Sequence, residues 1–117
     1  MRLLVVDDSD LARMAAVRAL STLTADILAL ASAEAVEKVD ASSLAGAVLD
    51  LEIGSVSGVD VALALRARNE ALAIAFLTAG ASAAELARAR EIGPVFEKTA
   101  GTEGVVRWAS AIPDARP

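Results

Sequence analysis

Short apolar runs alternate along the chain with longer segments whose apolar residues recur at the spacing of a helix face. The apolar runs predict strands over residues 2–7, 25–30, 46–50, 73–78 and 95–97. The amphipathic segments predict helices over residues 10–21, 33–39, 58–68, 83–91 and 103–111. Because strands that alternate with helices build βα units, we expect one α/β domain with a parallel sheet over 1–112. Residues 113–117 are expected to be a tail or the start of a linker.

Polar residues at the predicted helix starts support these bounds. Candidate N-cap residues precede four of the helices: Ser9 or Asp8, Ser32, Ser82 and Thr102. Ser82 is followed three residues later by Glu85, which is the spacing of a capping box. Gly93-Pro94 is expected to end the fourth helix. Trp108 falls on the last helix, where we expect it to be half-buried against the sheet.

Composition and charge exclude several classes of function. The 117 residues carry a net charge of −5 and no Lys/Arg cluster, so we expect no direct binding of nucleic acid. Cysteine is absent, which excludes disulfides and thiolate metal sites. No apolar stretch approaches the roughly 20 residues of a membrane span, and no signal peptide is evident. We therefore expect a cytoplasmic protein that does not bind membranes.

Four predicted strands end on a polar side chain. The residues at these ends are Asp7-Asp8, Asp50, Thr78 and Lys98. In an open parallel α/β sheet, ligands bind beyond the carboxyl ends of the strands, so we expect these side chains to meet at one edge. Three carboxylates, a hydroxyl and an ammonium are suited to a divalent cation and a phosphoryl group.

Each of these residues also has an ordinary explanation when it is taken alone. Asp7-Asp8 can be acidic residues favoured at a helix N-terminus. Asp50 can be a turn residue, Thr78 a residue of high strand propensity and Lys98 a solvated charge. All four explanations must hold together to remove the predicted site. Six other charged residues are interpreted as solvent-facing side chains without a role in the site: Glu52, Glu97, Arg66, Arg68, Arg88 and Arg90.

The order and spacing of these residues resemble the receiver domain of two-component response regulators. The resemblance covers the whole chain and matches five signature positions: Asp7, Asp8, Asp50, Thr78 and Lys98. Gly58, eight residues after Asp50, matches a further position. The resemblance implies a flavodoxin-like (βα)5 fold, a doubly wound parallel five-stranded sheet of order 2-1-3-4-5. It also implies a phospho-accepting switch that catalyses only its own phosphorylation and dephosphorylation.

The resemblance assigns a role to each residue of the site. Asp50 is the expected phosphoacceptor, which attacks the phosphorus of a phosphohistidine on a sensor histidine kinase or a phosphotransfer protein. Mg²⁺ is the expected cofactor, bound by Asp8, Asp50 and the backbone carbonyl of Glu52, with Asp7 acting through water. Once the phosphoryl group is present, its oxygens are expected to contact Lys98 and Thr78.

Three positions depart from the family pattern. The aromatic residue that usually stands three residues before the lysine is Val95, and strand alternation points Phe96 to the opposite face. The family's Lys-Pro is Lys98-Thr99, so a trans peptide is expected. Gly54 replaces a proline that often follows the phosphoacceptor, which makes that loop more flexible. The first departure favours a switch that works by backbone movement of residues 79–83.

Two other functions remain open at this point. A receiver-like interaction or dimerisation module would work independently of phosphorylation, and the last helix with its strand face is a possible homodimer surface. A small phosphatase of the haloacid-dehalogenase type would use Asp8 as nucleophile and Asp10 as general acid. Asp50 has no role in that scheme, and 117 residues leave no room for a cap domain.

Overall fold

The computed structural model describes residues 1–113 and contains the expected parallel sheet. Its five strands are β1 (Leu3–Val6), β2 (Ile27–Leu30), β3 (Gly46–Asp50), β4 (Ala73–Thr78) and β5 (Val95–Glu97). The strands lie in the order β2-β1-β3-β4-β5, and every neighbouring pair is parallel. The predicted flavodoxin-like sheet, of order 2-1-3-4-5, is therefore confirmed.

Five helices cover the two faces of this sheet. They are α1 (Asp10–Leu20), α2 (Ala33–Val36), α3 (Gly58–Arg68), α4 (Ala83–Arg90) and α5 (Glu103–Ser110). Residues of α1 and α5 pack against Leu3 and Val5 on one face. Residues of α2, α3 and α4 pack against Leu4 and Val6 on the other. Because successive strand residues point to opposite faces, β1 is buried on both sides and all four of its residues are apolar.

The close approach of α3 to the end of β3 requires glycine at position 58. A Cβ atom on Gly58 would lie only 2.1 Å from the backbone oxygen of Asp50. The Gly58 N–H group also donates to the carbonyl of Leu51 at 2.8 Å. The first turn of α3 is therefore held directly against the strand end that carries Asp50.

A short β-hairpin with strands of two residues follows β3, and the hydrophobic pattern did not predict it. Glu52–Ile53 pairs antiparallel with Val56–Ser57. Gly54 takes a φ of 62°, as the first turn position of a type II′ hairpin requires. Ile53 is buried in the core, which anchors the hairpin beside the strand ends. The loop that was expected to be flexible thus has a regular hairpin structure, called the 52–57 hairpin below.

Some helix predictions were wrong in detail. The helix predicted over 33–39 ends at Val36, because the following three N–H groups bond to carbonyls three residues back and tighten the chain into turns. Ser9, Ser32 and Ser82 cap their helices as predicted. Thr102 makes no side-chain cap bond, because its backbone is already helical and does not aim the hydroxyl at the first turn.

One basic side chain that was predicted to face solvent has partners in the main chain. Arg66 is half-buried rather than solvated, since its guanidinium donates to the carbonyls of Leu72 and Ile92.

Trp108 is half-buried and packs against the α1–α5 side of the sheet, as expected. Within residues 1–113, no helix is both long enough and apolar enough to cross a bilayer.

Candidate functional site

Three carboxylates meet at the carboxyl ends of β1 and β3. Oxygen atoms of Asp7, Asp8 and Asp50 all lie within 4.8 Å of one another. Asp7 and Asp50 are buried, whereas Asp8 is exposed. Two unit charges at that separation repel by about 3 kcal/mol at an effective dielectric constant near 20. The sheet topology therefore concentrates negative charge at a site that remains open to solvent on one side.

Lys98 supplies the positive charge that faces this cluster. It begins a 3₁₀ turn directly after β5, and its Nζ atom lies 2.9 Å from Asp7 Oδ2 and 3.1 Å from Asp50 Oδ2. Burial by itself would lower the pKa of the Lys98 ammonium, but the two carboxylates outweigh burial and raise that pKa. Lys98 therefore stays protonated and offsets part of the repulsion between the acidic side chains.

The carboxyl group of Asp50 has an unusual proton affinity. Burial raises its pKa from 3.8 to about 6, and the negative charge of Asp7 acts in the same direction. A hydrogen bond from the Glu52 N–H group and the contact with Lys98 oppose this increase. Asp50 is thus buried and mostly ionised at neutral pH, and it takes up a proton when the pH falls through about 6.

Backbone N–H groups orient each of the three carboxylates. The Ser9 N–H donates to Asp7 Oδ1 at 2.9 Å. The 52–57 hairpin supplies the other two donors, from Glu52 to Asp50 Oδ1 at 3.2 Å and from Gly54 to Asp8 Oδ2 at 3.1 Å. Because these donors belong to the main chain, the carboxylates are positioned by the fold rather than by mobile side chains.

The donor atoms present fit a hard divalent cation. All three carboxylate groups offer oxygen, the ligand type that Mg²⁺ prefers. Asp7 Oδ2 is buried and has no aligned hydrogen-bond donor, because its close contact with Lys98 Nζ is an ion pair without hydrogen-bond geometry. Such an oxygen retains capacity for a water or a cation ligand. The side chain of Asp10 is not part of the cluster and pairs with Arg13 at 2.6 Å.

The Thr78 hydroxyl lies at the end of β4 and makes no hydrogen bond to the three carboxylates. Its Oγ1 atom accepts a hydrogen bond from the Gly80 N–H group at 3.0 Å. Thr78 is buried, and it lines a cleft of about 440 Å³ together with Val95, Leu86 and Arg90. The hydroxyl is therefore engaged with the 79–83 loop in this structure.

The departures around Lys98 have a clear structural outcome. Val95 packs on the face that carries α3 and α4, whereas Phe96 packs on the face that carries α1 and α5. The prediction that Phe96 points away from the usual position of the aromatic residue is therefore confirmed. No peptide bond among residues 1–113 is cis, so the Lys98–Thr99 bond is trans as expected.

Four contributors to the site were missed in the sequence. Three are the N–H groups of Ser9, Glu52 and Gly54. The fourth is Arg13, whose guanidinium donates to the backbone carbonyl of Asp7 at 2.9 Å. The Asp10/Arg13 spacing on α1 predicts an ion pair along that helix, but it does not place Arg13 beside the Asp7 carbonyl, because Asp10 lies outside the cluster. No local signal marks the Gly54 N–H group, since its role depends on how the hairpin folds back.

Comparison with known proteins agrees with this geometry. The model of the family described as "Response regulator receiver domain" matches residues 3–96. The chain belongs to this family. None of the curated proteins matches it. The receiver-domain resemblance seen in the sequence is thereby confirmed, and receiver domains are generally not classical enzymes.

Solved structures of the family share the fold of this receiver domain. The signal receiver domain of NarL from Mycobacterium tuberculosis is 25% identical, with a TM-score of 0.79 over 98% of this chain and 97% of that one. The chemotaxis protein CheY4 from Vibrio cholerae is 17% identical, with a TM-score of 0.80 over 96% and 98% of the chains. A response regulator from Burkholderia pseudomallei, solved with a phosphorylated aspartic acid, a calcium ion and citrate, is 23% identical. Its TM-score is 0.77, and the match covers 96% of this chain and 66% of that one.

Proposed function

We propose that this receiver domain accepts a phosphoryl group on Asp50 from a phosphohistidine and changes conformation in response. The observation that carries the proposal is the meeting of Asp50, Asp8 and Lys98 at one sheet edge, with Lys98 Nζ 3.1 Å from Asp50 Oδ2. The related Burkholderia pseudomallei regulator was solved with a phosphorylated aspartic acid, which supports the same chemistry here. The proposed donor is a sensor histidine kinase or a phosphotransfer protein, and the receiver domain itself is proposed to be cytoplasmic.

The transfer needs a nucleophile, a stabilised leaving group and neutralised charge. A carboxylate oxygen of Asp50 forms the new bond to phosphorus, while the bond between phosphorus and the donor imidazole nitrogen breaks and that nitrogen keeps the electron pair. Charge accumulates on the three equatorial phosphoryl oxygens, so positioning and electrostatic stabilisation carry most of the catalysis. Lys98 supplies one fixed positive charge beside Asp50. The Thr78 hydroxyl accepts from the Gly80 N–H group and can still donate its own proton to a phosphoryl oxygen.

Asp8 and Asp50 are the proposed direct ligands of Mg²⁺, with the backbone carbonyl of Glu52 as a third and Asp7 acting through water. When bound, the ion supplies positive charge that neutralises the carboxylates and the phosphoryl oxygens. Asp7 is suited to an indirect role because it is buried and already accepts from Ser9. Asp8 is suited to a direct one because it is exposed at the mouth of the site.

The other functions receive less support. A module that works without phosphorylation does not require Lys98 to lie between two buried carboxylates. A phosphatase with Asp10 as general acid is inconsistent with the pairing of Asp10 with Arg13 outside the cluster. Homodimerisation through α5 and the neighbouring strand face stays a prediction, and it is compatible with either mode of signalling.

Phosphoramidate tests the proposal directly, because its phosphorus–nitrogen bond resembles that of phosphohistidine. With Mg²⁺ present, intact-protein mass spectrometry should show one phosphoryl group on the wild-type protein and none on Asp50→Ala. Asp10→Ala is the matched control, since it removes an acidic side chain outside the cluster. Incorporation at the wild-type level in Asp50→Ala, or none in the wild-type protein, would overturn the assignment. Sustained turnover of p-nitrophenyl phosphate would instead favour a phosphatase.

A further inference from the structure

Ser57 joins the 52–57 hairpin to two helices through a single hydroxyl group. Its Oγ atom accepts from the Val59 N–H group at 3.2 Å and so caps α3. The hydroxyl proton is donated to the Glu85 carboxylate in the first turn of α4. A hydroxyl has one proton to donate and can accept at the same time, so the two bonds are compatible. The predicted capping box at Ser82 is half formed as a result, because the Glu85 side chain faces Ser57.

The same hairpin also contacts the acidic site. The Glu52 and Gly54 N–H groups donate to Asp50 and Asp8, as described above. Glu52 is itself the cross-strand partner of Ser57, and one further pair, Ile53 with Val56, separates that pair from the turn at Gly54. With Ile53 buried and a tight turn at Gly54, the hairpin is a short paired element. We therefore expect a change in its contacts with Asp8 and Asp50 to be transmitted to Ser57.

We propose that the Ser57–Glu85 hydrogen bond couples occupancy of the acidic site to the position of α4. The inference rests on the proposed function, because it needs a ligand that alters the contacts of Asp8 and Asp50. A cation held by Asp8 would place positive charge beside the Gly54 N–H group that donates to Asp8 Oδ2, which would weaken this hydrogen bond and displace the hairpin. The link is separate from any movement of the 79–83 loop with Thr78. That route lacks its usual aromatic residue, because position 95 on β5 is valine. Ser57 and Glu85 are positioning residues in this scheme.

A second α3–α4 contact provides an internal control. Arg88 pairs with Asp60 of α3 at 3.3 Å and with Glu85 at 3.5 Å. The side chains of Arg88 and Asp60 are 50% and 62% exposed, whereas that of Glu85 is only 23% exposed. Exposed ion pairs hold their partners weakly. Removing Arg88 thus tests whether any contact between α3 and α4 is sufficient to couple the acidic site to α4.

The experiment measures amide chemical-shift changes when beryllofluoride and Mg²⁺ are added to the folded protein. In the wild type we expect changes at the site, in the hairpin and at residues 87–90 of α4. In Glu85→Ala the site should still respond, while the response of 87–90 falls at least about twofold. Glu85→Gln keeps an oxygen acceptor and should restore the response. Arg88→Ala should leave the response of residues 87, 89 and 90 near the wild-type value.

Ser57→Asp provides an independent variant, because aspartate still caps α3 but repels Glu85. It should reproduce the weakened α4 response with the helix intact. An undiminished response of 87–90 in both Glu85→Ala and Ser57→Asp, with the site occupied, would overturn the coupling alone. An equal loss in Arg88→Ala would also overturn it, because the effect would then belong to α3–α4 contact in general. No change at Asp8, Asp50 and Lys98 in the wild type would overturn the proposed function together with the coupling.

Discussion

Replacing Asp50 by asparagine should stabilise the domain in the absence of Mg²⁺. The folded protein raises the pKa of this carboxyl group from 3.8 to about 6, chiefly by burial. That increase corresponds to about 3 kcal/mol by which folding disfavours the charged form. Asparagine resembles the protonated acid in shape and charge, and its side-chain oxygen still accepts from the Glu52 N–H group. We therefore expect Asp50→Asn to raise the free energy of unfolding at pH 7 by up to about 3 kcal/mol.

The sign of the pH dependence follows from the direction of the pKa change. Because the folded-state pKa of Asp50 is the higher one, the folded protein binds the proton more tightly than the unfolded chain does. This contribution is fully present below pH 3.8 and is lost as the pH rises through about 6. The difference in stability between Asp50→Asn and the wild type should accordingly be largest at pH 7 and shrink towards zero as the pH falls to 3.8.

Urea unfolding at a series of pH values, followed by the fluorescence of Trp108, measures this difference. Comparison of the two proteins at each pH removes the contribution of titrating groups that do not interact with Asp50. Mg²⁺ should stabilise the wild type and have a smaller effect on Asp50→Asn, since the variant lacks one of the three carboxylates. A variant less stable than the wild type at pH 7, or a difference that does not change with pH, would refute the argument from burial and charge repulsion.

Three further predictions concern the surroundings of Asp50. Thr78→Ala should still accept phosphate but lose the phosphorylation-dependent shift of the 79–83 loop in NMR spectra; an unchanged shift would mean that the hydroxyl is not the sensor. Gly58→Ala should lower the free energy of unfolding in urea by about 3 kcal/mol, because its Cβ would lie 2.1 Å from the Asp50 carbonyl oxygen; wild-type stability would show that α3 can shift freely. Trp108 should be quenched only weakly by Mg²⁺, because its ring lies beside Gly46 at the far end of β3; strong quenching would contradict that placement.

The sheet and its strand-end residues were predictable because they depend on local pattern and on general rules of α/β topology. Apolar runs buried on both faces identify the central strands, and parallel strands bring their carboxyl ends to one edge. Asp7, Asp8, Asp50 and Lys98 meet for that reason, before any detail of packing is known. The helix starts at Ser9, Ser32 and Ser82 were also predictable, since a cap bond joins residues close in sequence.

The partners of individual side chains depended on contacts between distant parts of the chain. Glu85 has the spacing to complete a capping box with Ser82, yet it bonds Ser57, which is 28 residues away. Arg66 reads as a solvated charge, but the fold brings two backbone carbonyls within reach of its guanidinium. The hairpin that orients Asp8 and Asp50 has no hydrophobic signature of its own. Local sequence therefore decides which elements form and where their ends lie. Hydrogen bonds between elements are decided by tertiary packing, because only the folded chain sets which donors and acceptors are adjacent.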